Sequence, residues 1–576
     1  MTAKRSDGRS RLPTAPRVAI VSGLVALLSL ALVTPGAANA APGDPAGVAR
    51  VATIFPLTTP ETRTALISAE ALAGYTAPTG ALTRDLDAVI DTQVAIGIDP
   101  MILASIRVLG TAAPASALEW LDRLSRAGNE TFSLTYADSD VTVGLQAGAS
   151  SVIAPGSFDF AIDPTLFAAP PTETPTATPT PAPAEQPDGA APALPTTASL
   201  IGWDFTVPSI VWPVADTVIG TDLTTMATSG FTTVIVNSGN LARADASRAM
   251  TTLGNLSGVT TDDGLSSLFG DAIDATSMAE WDAASGLLGT AIDTAAATGD
   301  TEGATIVLAV DRTSLGSASR VRSTLAGIDL LPSSDVALLS TVLETAGAEA
   351  TLTDRPQTPE RVAAAQKLLT TEASDASFAS VAQNPELITG ERRLRMLATM
   401  SNAWYSYPGG WTSALKLFDS ESVALHESVR VVKSSEITVI ADRTSLYVTV
   451  TNELDQPVNV NINVTAPTPL LEIEDPAVPV TIEPQSQKRG AIPVQSLSNG
   501  TAVISISISS QSDDVTIGSP VTVGINVYAG WETPFTVALG VFVVGVFGFG
   551  IARLIVRRRR ARRELAAVSA AEKDTE

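Results

Sequence analysis

The chain has 576 residues, no cysteine, one histidine and a formal net charge of −24. Disulfides, a lipid-bearing cysteine and a Cys-His pair are therefore excluded, and a His-rich metal site cannot be assembled from this chain. The first 40 residues carry a net +4 and residues 553–576 another +4, which leaves −32 on residues 41–552; so acidic a stretch repels phosphate polymers, and nucleic acid is not an expected partner.

Lys4, Arg5, Arg9, Arg11 and Arg17 precede an apolar run from Val18 to Val33, and Ala38-Asn39-Ala40 follows the breaker Thr34-Pro35-Gly36. This order predicts a signal peptide over 1–40, cleaved after Ala40. Val48–Leu57 then reads as a strand, Thr83–Asp91 as a helix and Val94–Ile98 as a buried strand ending at Asp99-Pro100. Leu118, Leu121 and Leu124 space out a helix over Ala115–Arg126, and Thr131–Tyr136 is a further strand closed by Ala137-Asp138-Ser139-Asp140. Strand–helix alternation of this kind predicts a parallel sheet.

A Pro/Thr/Ala-rich tract over 170–197 buries too little apolar surface to order itself. The alternation resumes beyond it, with strands at Ser209–Pro213, Phe231–Val236 and Ala304–Val310 and helices at Thr221–Ser229 and Ser277–Thr298. The tract is a domain linker or a long insertion; the insertion is the favoured reading, giving one α/β unit over 48–345, an interrupted and degenerate seven-stranded βα barrel. Residues 346–432 read as a helical segment, opened by the cap, proline and acid of Thr358-Pro359-Glu360. Period-two alternation at Glu436–Ala441, Ser445–Asn452, Val458–Val464, Val478–Ile482, Ala502–Ser509 and Pro520–Val527 makes 433–529 an all-β unit, expected to be a β-sandwich.

Residues 534–552 close the pattern as a transmembrane helix. Phe535–Ala552 has no charge, and its eighteen residues span about 27 Å. Tyr528 and Trp531 suit the outer interface, and seven arginines between Arg553 and Arg563 place the tail 553–576 in the cytoplasm by the positive-inside rule. No Leu-Pro-x-Thr-Gly string precedes the helix, so the helix is the expected anchor. The expectation is a single-pass protein of the cell membrane with its bulk outside.

Catalytic motifs are sparse. The lone His426 falls in a helical stretch, and no Gly-rich phosphate loop stands between a strand and a helix. What remains is acids at strand ends: Asp99, Asp138, Asp140, Asp163 and Asp311. In βα barrels that end of the strands holds the ligand site. Asp followed by Pro at Asp99 and Asp163 is equally the signature of a helix cap. Asp99, Asp138 and Asp140 are the catalytic candidates, and Tyr136, Asp138, Asp140 and Trp212 the candidate binding residues for a glycan. Trp203, Trp404, Trp411, Tyr405 and Tyr407 are further stacking candidates. No metal and no cofactor are expected.

Phe55-Pro56-Leu57, Gly80-x-Leu82, Gly97-Ile98-Asp99-Pro100, Trp120-Leu121-x-x-Leu124, Tyr136-Ala137-Asp138-Ser139-Asp140, Trp212-Pro213 and the string from Val448 to Val458, with its Asn452-x-Leu454-Asp455-Gln456-Pro457, together resemble one family. It is a family of actinobacterial, membrane-anchored exported proteins without an assigned activity. Its genes commonly lie beside that of the lipid II flippase. The resemblance implies a role in cell-envelope or peptidoglycan assembly and a membrane-protein partner there. The barrel half also resembles the barrels of polysaccharide deacetylases and certain retaining glycosidases, which carry a histidine-containing motif where this chain has Tyr136–Asp140. With no histidine there, the leading expectation is a non-enzymatic protein that binds a glycan or scaffolds a partner. A metal-independent glycosidase using barrel carboxylates is the alternative, and a purely structural adaptor acting through its transmembrane helix a third reading.

Overall fold

The structure is a computed structural model describing residues 47–571, except 168–193, 244–247, 300–303, 315, 434–436, 440–442, 513–514 and 529–531. The expected signal peptide, most of the Pro-rich tract and Trp531 lie outside the described residues.

Strands buried on both faces read as near-continuous apolar runs, and β1 (Ala49–Leu57) is one: Arg50 is its one exposed residue and Thr53 a buried polar one. β1 pairs in parallel with β2 (Ala95–Ile98), which pairs in parallel with β3 (Thr131–Ser133). The second sheet runs from β4 (Ile210–Val211) to β5 (Thr233–Asn237), then a hairpin region of β6 (Leu241–Arg243), β7 (Met250–Leu253) and β8 (Leu256–Thr261). β4, β5 and β8 are parallel, whereas β7 is antiparallel to β8. The chain then returns to the first sheet: β9 (Thr305–Ala309) and β10 (Ser334–Val336) both pair in parallel with β1.

The two sheets are half-barrels that meet at both edges. Val207 N–H donates to Thr131 O at 3.0 Å, and Asp262 N–H donates to Val307 O at 3.0 Å. Between them Ala52, Ile54, Ala95 and Phe132 pack against Ile210, Ile235 and Val259. Alternate residues of the same strands, Val51, Phe55, Ile96 and Ile98, face outward into the cluster under the helices. Gly97 is small for a reason. A Cβ there would stand 2.9 Å from both Phe132 and Leu134, so the Phe132 ring occupies the space a side chain would need.

The span read as helical contains strands at its two ends. β11 (Ala348–Leu352) extends the second sheet through β7 and β6, and β12 (Val429–Val431) pairs with a later strand. Between them lie three helices, Pro359–Ala379, Pro385–Thr399 and Pro408–Glu427, each with proline in its first turn, where no backbone N–H is required. This helical layer is bonded both ways. Asp140 N–H donates to Met400 O at 2.8 Å, and on the other side Asn459 N–H donates to Val381 O at 2.7 Å.

The remaining strands are β13 (Ile437–Val439), β14 (Arg443–Asn452), β15 (Val458–Thr465), β16 (Leu471–Ile473), β17 (Ala477–Ile482), β18 (Ser486–Ser496), β19 (Gly500–Ser510) and β20 (Thr516–Val527). They form two sheets, β12-β14-β18-β16 and β13-β20-β19-β15-β17. The alternation in β15 buries Val458, Val460, Ile462 and Val464 and leaves its asparagines outward. These side chains join Val448, Val450, Ile492, Ile504 and Ile525 of the other strands in one apolar cluster. β18 escapes a pattern reading because Lys488, Arg489 and Pro493 interrupt it.

A helix of 40 residues, Glu532–Ala571, is the last element of the described residues. Within it, Phe535–Glu564 is long and apolar enough to cross a membrane, with none of its apolar window buried in the protein. Phe542, Phe547 and Phe549 are among its exposed side chains.

Gly97→Val would force a branched side chain into the space of Phe132 and Leu134. Overpacking of this kind costs about 1–3 kcal/mol, and urea unfolding of the detergent-solubilised chain should show the midpoint fall. An unchanged midpoint would mean that the half-barrels enclose spare volume.

Candidate functional site

Asp99, Tyr136, Asp138 and Asp140 converge where the first sheet meets the helical layer, and the turn Tyr136–Asp140 is the centre. After β3 the chain turns through Ala137 and Asp138 with φ of 57° and 44°, left-handed values that cost energy for residues other than glycine. The Tyr136 hydroxyl donates to Ala65 O at 2.6 Å, and its ring packs at 5.8 Å from that of Phe158. These contacts hold the turn, and Asp138 and Asp140 on it meet different partners.

Asp99 lies behind it, 1% exposed. Its Oδ1 accepts the Met101 N–H at 2.8 Å, capping the helix Pro100–Val108, and also the Ala137 N–H at 2.8 Å. Burial pushes its carboxyl up to about 8; the Met101 N–H opposes this, and the neighbouring Asp138 charge adds to it. Asp99 is a buried acid that keeps its proton at neutral pH.

Asp138, 4% exposed, has a cation instead. Arg312, at the end of β9, donates from Nε to its Oδ2 at 2.6 Å and from Nη2 to Trp212 O at 2.9 Å. The same guanidinium lies over the Trp212 ring, 4.4 Å from its centroid. Burial raises the Asp138 carboxyl, and the Arg312 charge pulls it back only in part.

Asp140, 1% exposed, caps the helix Val141–Gln146 through Oδ1, which accepts from Val143 N–H at 3.1 Å and from the Thr142 hydroxyl at 2.9 Å. Its Oδ2 accepts from Gln357 Nε2 at 2.8 Å and the Tyr405 hydroxyl at 2.9 Å, with Arg361 Nη2 at 3.5 Å. Arg361 is itself held between aromatic faces, 3.7 Å from the Tyr405 centroid and 4.7 Å from that of Trp411. Burial, then the Asp140 charge, raise the Tyr405 hydroxyl well above its usual range. Tyr405 and Trp411 therefore stack on an arginine within the protein.

Asp163 and Asp311 stand apart on the surface and make local turns: each accepts the N–H and hydroxyl of the threonine two residues on, Thr165 and Thr313. Trp404 is buried, its indole N–H donating to Ala398 O at 2.9 Å. Trp203 has Arg107 at 5.9 Å, and Tyr407 is exposed. Among the described residues no group of three or more His, Asp or Glu is placed to hold a metal ion.

A second cluster was not legible beforehand. Asp375 Oδ2 accepts Arg392 Nε at 2.6 Å, while its Oδ1 meets both the Ser422 hydroxyl and His426 Nε2, the latter at 3.1 Å. Those bonds hold the Asp375 carboxyl below its usual range although burial opposes them. The His426 ring stacks on Phe378 at 5.0 Å. Ser, His and Asp are all present, yet Ser422 gives its proton to Asp375 and not to the imidazole. The relay that activates a serine nucleophile is absent from this arrangement. Ser422 and His426 line a groove of about 760 Å³ between the helical layer and β12, β19 and β20.

The chain belongs to the family of unknown function DUF6049, whose model matches residues 20–570. No curated protein matches the sequence. Among solved structures, a segment is similar to native α2-macroglobulin of Escherichia coli spanning the residues from domain MG7 to the C-terminus: 24% identity over 18% of this chain, TM-score 0.16. The match takes in 17% of that macroglobulin chain. The chain is also similar to the α-amylase AmyC of Thermotoga maritima, at 8% identity over 66% of this chain and 93% of that one, TM-score 0.41. WR4, an MSP family member of Caenorhabditis elegans, matches 17% of this chain and 97% of its own at 9% identity, TM-score 0.14.

Two outcomes test the site. Arg312→Ala leaves Asp138 buried without its cation, and breaking such a pair costs about 3–5 kcal/mol; denaturant unfolding should show this loss, reduced at acid pH where Asp138 gains a proton. For Asp99, the folded value near 8 lies above the unfolded 3.8. Between those limits the folded state keeps a proton that the unfolded chain releases, so this group makes stability fall as pH rises from about 4 to about 8. Asp99→Asn removes that contribution. Thermal unfolding at a series of pH values should show the wild type losing ground to the variant across this window; parallel curves would place the Asp99 titration elsewhere.

Proposed function

We propose that this protein is a non-catalytic, membrane-tethered scaffold of the cell envelope, displayed outside the cytoplasmic membrane to hold a partner or a glycan. The supporting observation is the occupation of its acids: Asp99 and Asp140 cap helices, and Asp138 is paired with Arg312. A glycosidase needs one carboxyl free to protonate a leaving group and another free to attack or activate water. The three nominated acids are nearly inaccessible, and their oxygens are engaged by the protein. Tyr136 and Asp140 are likewise too buried to greet a sugar directly; of the four nominated binding residues only Trp212 is partly exposed, and Arg312 covers one of its faces.

In this reading β1, β2, β3, β4, β5, β8 and β9 close a degenerate seven-stranded barrel akin to those of sugar enzymes, and the helical layer caps the side where a substrate would enter. The two sheets of β12–β20 act as a β-sandwich spacer between that barrel and the bilayer. The exported bulk follows from a cleaved N-terminal signal, and the C-terminal arginines fix the tail in the cytoplasm. The envelope role and its partner follow from the resemblance to actinobacterial exported proteins encoded beside the lipid II flippase.

The test is affinity capture of the intact protein from its own membranes after crosslinking, with mass spectrometry of the co-purifying proteins. Enrichment of an envelope-assembly membrane protein is the expected result, retained in Asp138→Asn and Asp140→Asn variants that remain folded. Glycan turnover by the purified chain that these variants abolish would replace the scaffold with the glycosidase.

A further inference from the structure

The C-terminal helix continues without a break from Glu532 to Ala571, so the arginines that follow its apolar part lie on a helix and not on a loose tail. Seven fall within eleven residues: Arg553, the quartet Arg557–Arg560, and Arg562-Arg563. All are exposed, and among the described residues none has a carboxylate partner, Glu564 included. Like charges three and four residues apart repel on a helix, and the pairs 553/557, 558/562, 559/563, 557/560 and 560/563 all do so here. A helix loaded in this way needs anions from outside the chain.

The neighbouring residues set their depth. Arg553 is flanked by Ile551-Ala552 and Leu554-Ile555-Val556, so it belongs to the apolar stretch by sequence and to the interface by charge. The step to Arg557 is about 6 Å along the axis, within reach of an extended arginine stem that snorkels toward the head groups. Arg553, Arg557 and Arg560, at i, i+4 and i+7, then share one helix face over about 10 Å. A guanidinium takes phosphate oxygens in pairs.

We propose that this arginine collar is a binding site for anionic phospholipid head groups of the leaflet from which the helix emerges. It selects lipids of net negative charge from zwitterionic ones and holds a shell of them around the helix. This inference rests on the reading of the helix as membrane-spanning. Bases here would then do more than set orientation: they would give the protein a preferred lipid neighbourhood.

The experiment uses the full chain reconstituted into phosphatidylcholine bilayers containing phosphatidylglycerol. Association of spin-labelled phosphatidylglycerol is compared with that of spin-labelled phosphatidylcholine. The expected preference for the anionic lipid is about five-fold or more, the factor one basic side chain supplies at an anionic surface. It should shrink as salt is raised. It should fall toward one when all seven arginines are changed to Gln and survive when they are changed to Lys. A wild-type preference near one, or an undiminished preference in the Gln variant, overturns the proposal. Alkaline extraction separates the two levels of the argument. A chain washed from the bilayer overturns the membrane-spanning reading as well, whereas one that stays embedded without lipid preference overturns the collar alone.

Discussion

Moving a carboxyl group out of water costs several kcal/mol unless its charge is removed or matched. Three such groups meet around the turn Tyr136–Asp140, and each is settled by a different device. Asp99 keeps its proton, Asp138 takes a guanidinium, and Asp140 gathers hydrogen-bond donors with an arginine slightly farther off. The donors come from distant parts of the chain. Arg312 arrives with β9, and Gln357, Arg361 and Tyr405 with the helical layer. Asp138 and Asp140 are matched only when those parts are in place, so the burial of these two acids ties the half-barrels to the helical layer.

The same turn gathers groups that also serve in enzyme sites. Acids at strand ends, an arginine on a tryptophan and a tyrosine on a carboxylate are parts from which catalytic sites are made. Here each acid faces another protein group, and the left-handed turn through Ala137 and Asp138 is held by the Tyr136 hydroxyl on Ala65 O and by the Ala137 N–H on Asp99. Strain of this sort persists where the surroundings over-determine it. In this protein it serves a joint. The region matched by DUF6049 runs through the half-barrels, the helical layer, the β-strand unit and the C-terminal helix.

Local features were legible in the sequence, and distant ones were not. β1, β2 and β9 stand out because burial on both faces writes an uninterrupted apolar run. The helix Ala115–Arg126 shows in the spacing of its leucines, and the Asp99 cap in the two letters Asp-Pro. β8, Leu-Ser-Gly-Val-Thr-Thr, is not legible as a buried strand because the fold buries its threonines despite their polarity. β18 shows no such run because Lys488, Arg489 and Pro493 break it, and Gly490 stands where a Cβ would strike Ile462. The partners of the acids are beyond any local reading. Arg312 is 174 residues from Asp138, and Gln357 is 217 from Asp140. A buried acid announces that it needs a partner but not which one.

The unbroken C-terminal helix has a consequence of phase. At about 1.5 Å per residue its 40 residues extend about 60 Å, roughly twice the hydrocarbon thickness. Because each residue advances the helix by about 100°, the azimuth of every side chain beyond Ala552 is locked to that of Phe535. Adding or removing one residue in the apolar stretch would leave its composition almost unchanged and turn the whole basic end through more than a quarter circle. Length therefore encodes direction as well as depth, and the glycines at 540, 545, 548 and 550 lie in the segment where that angle is set.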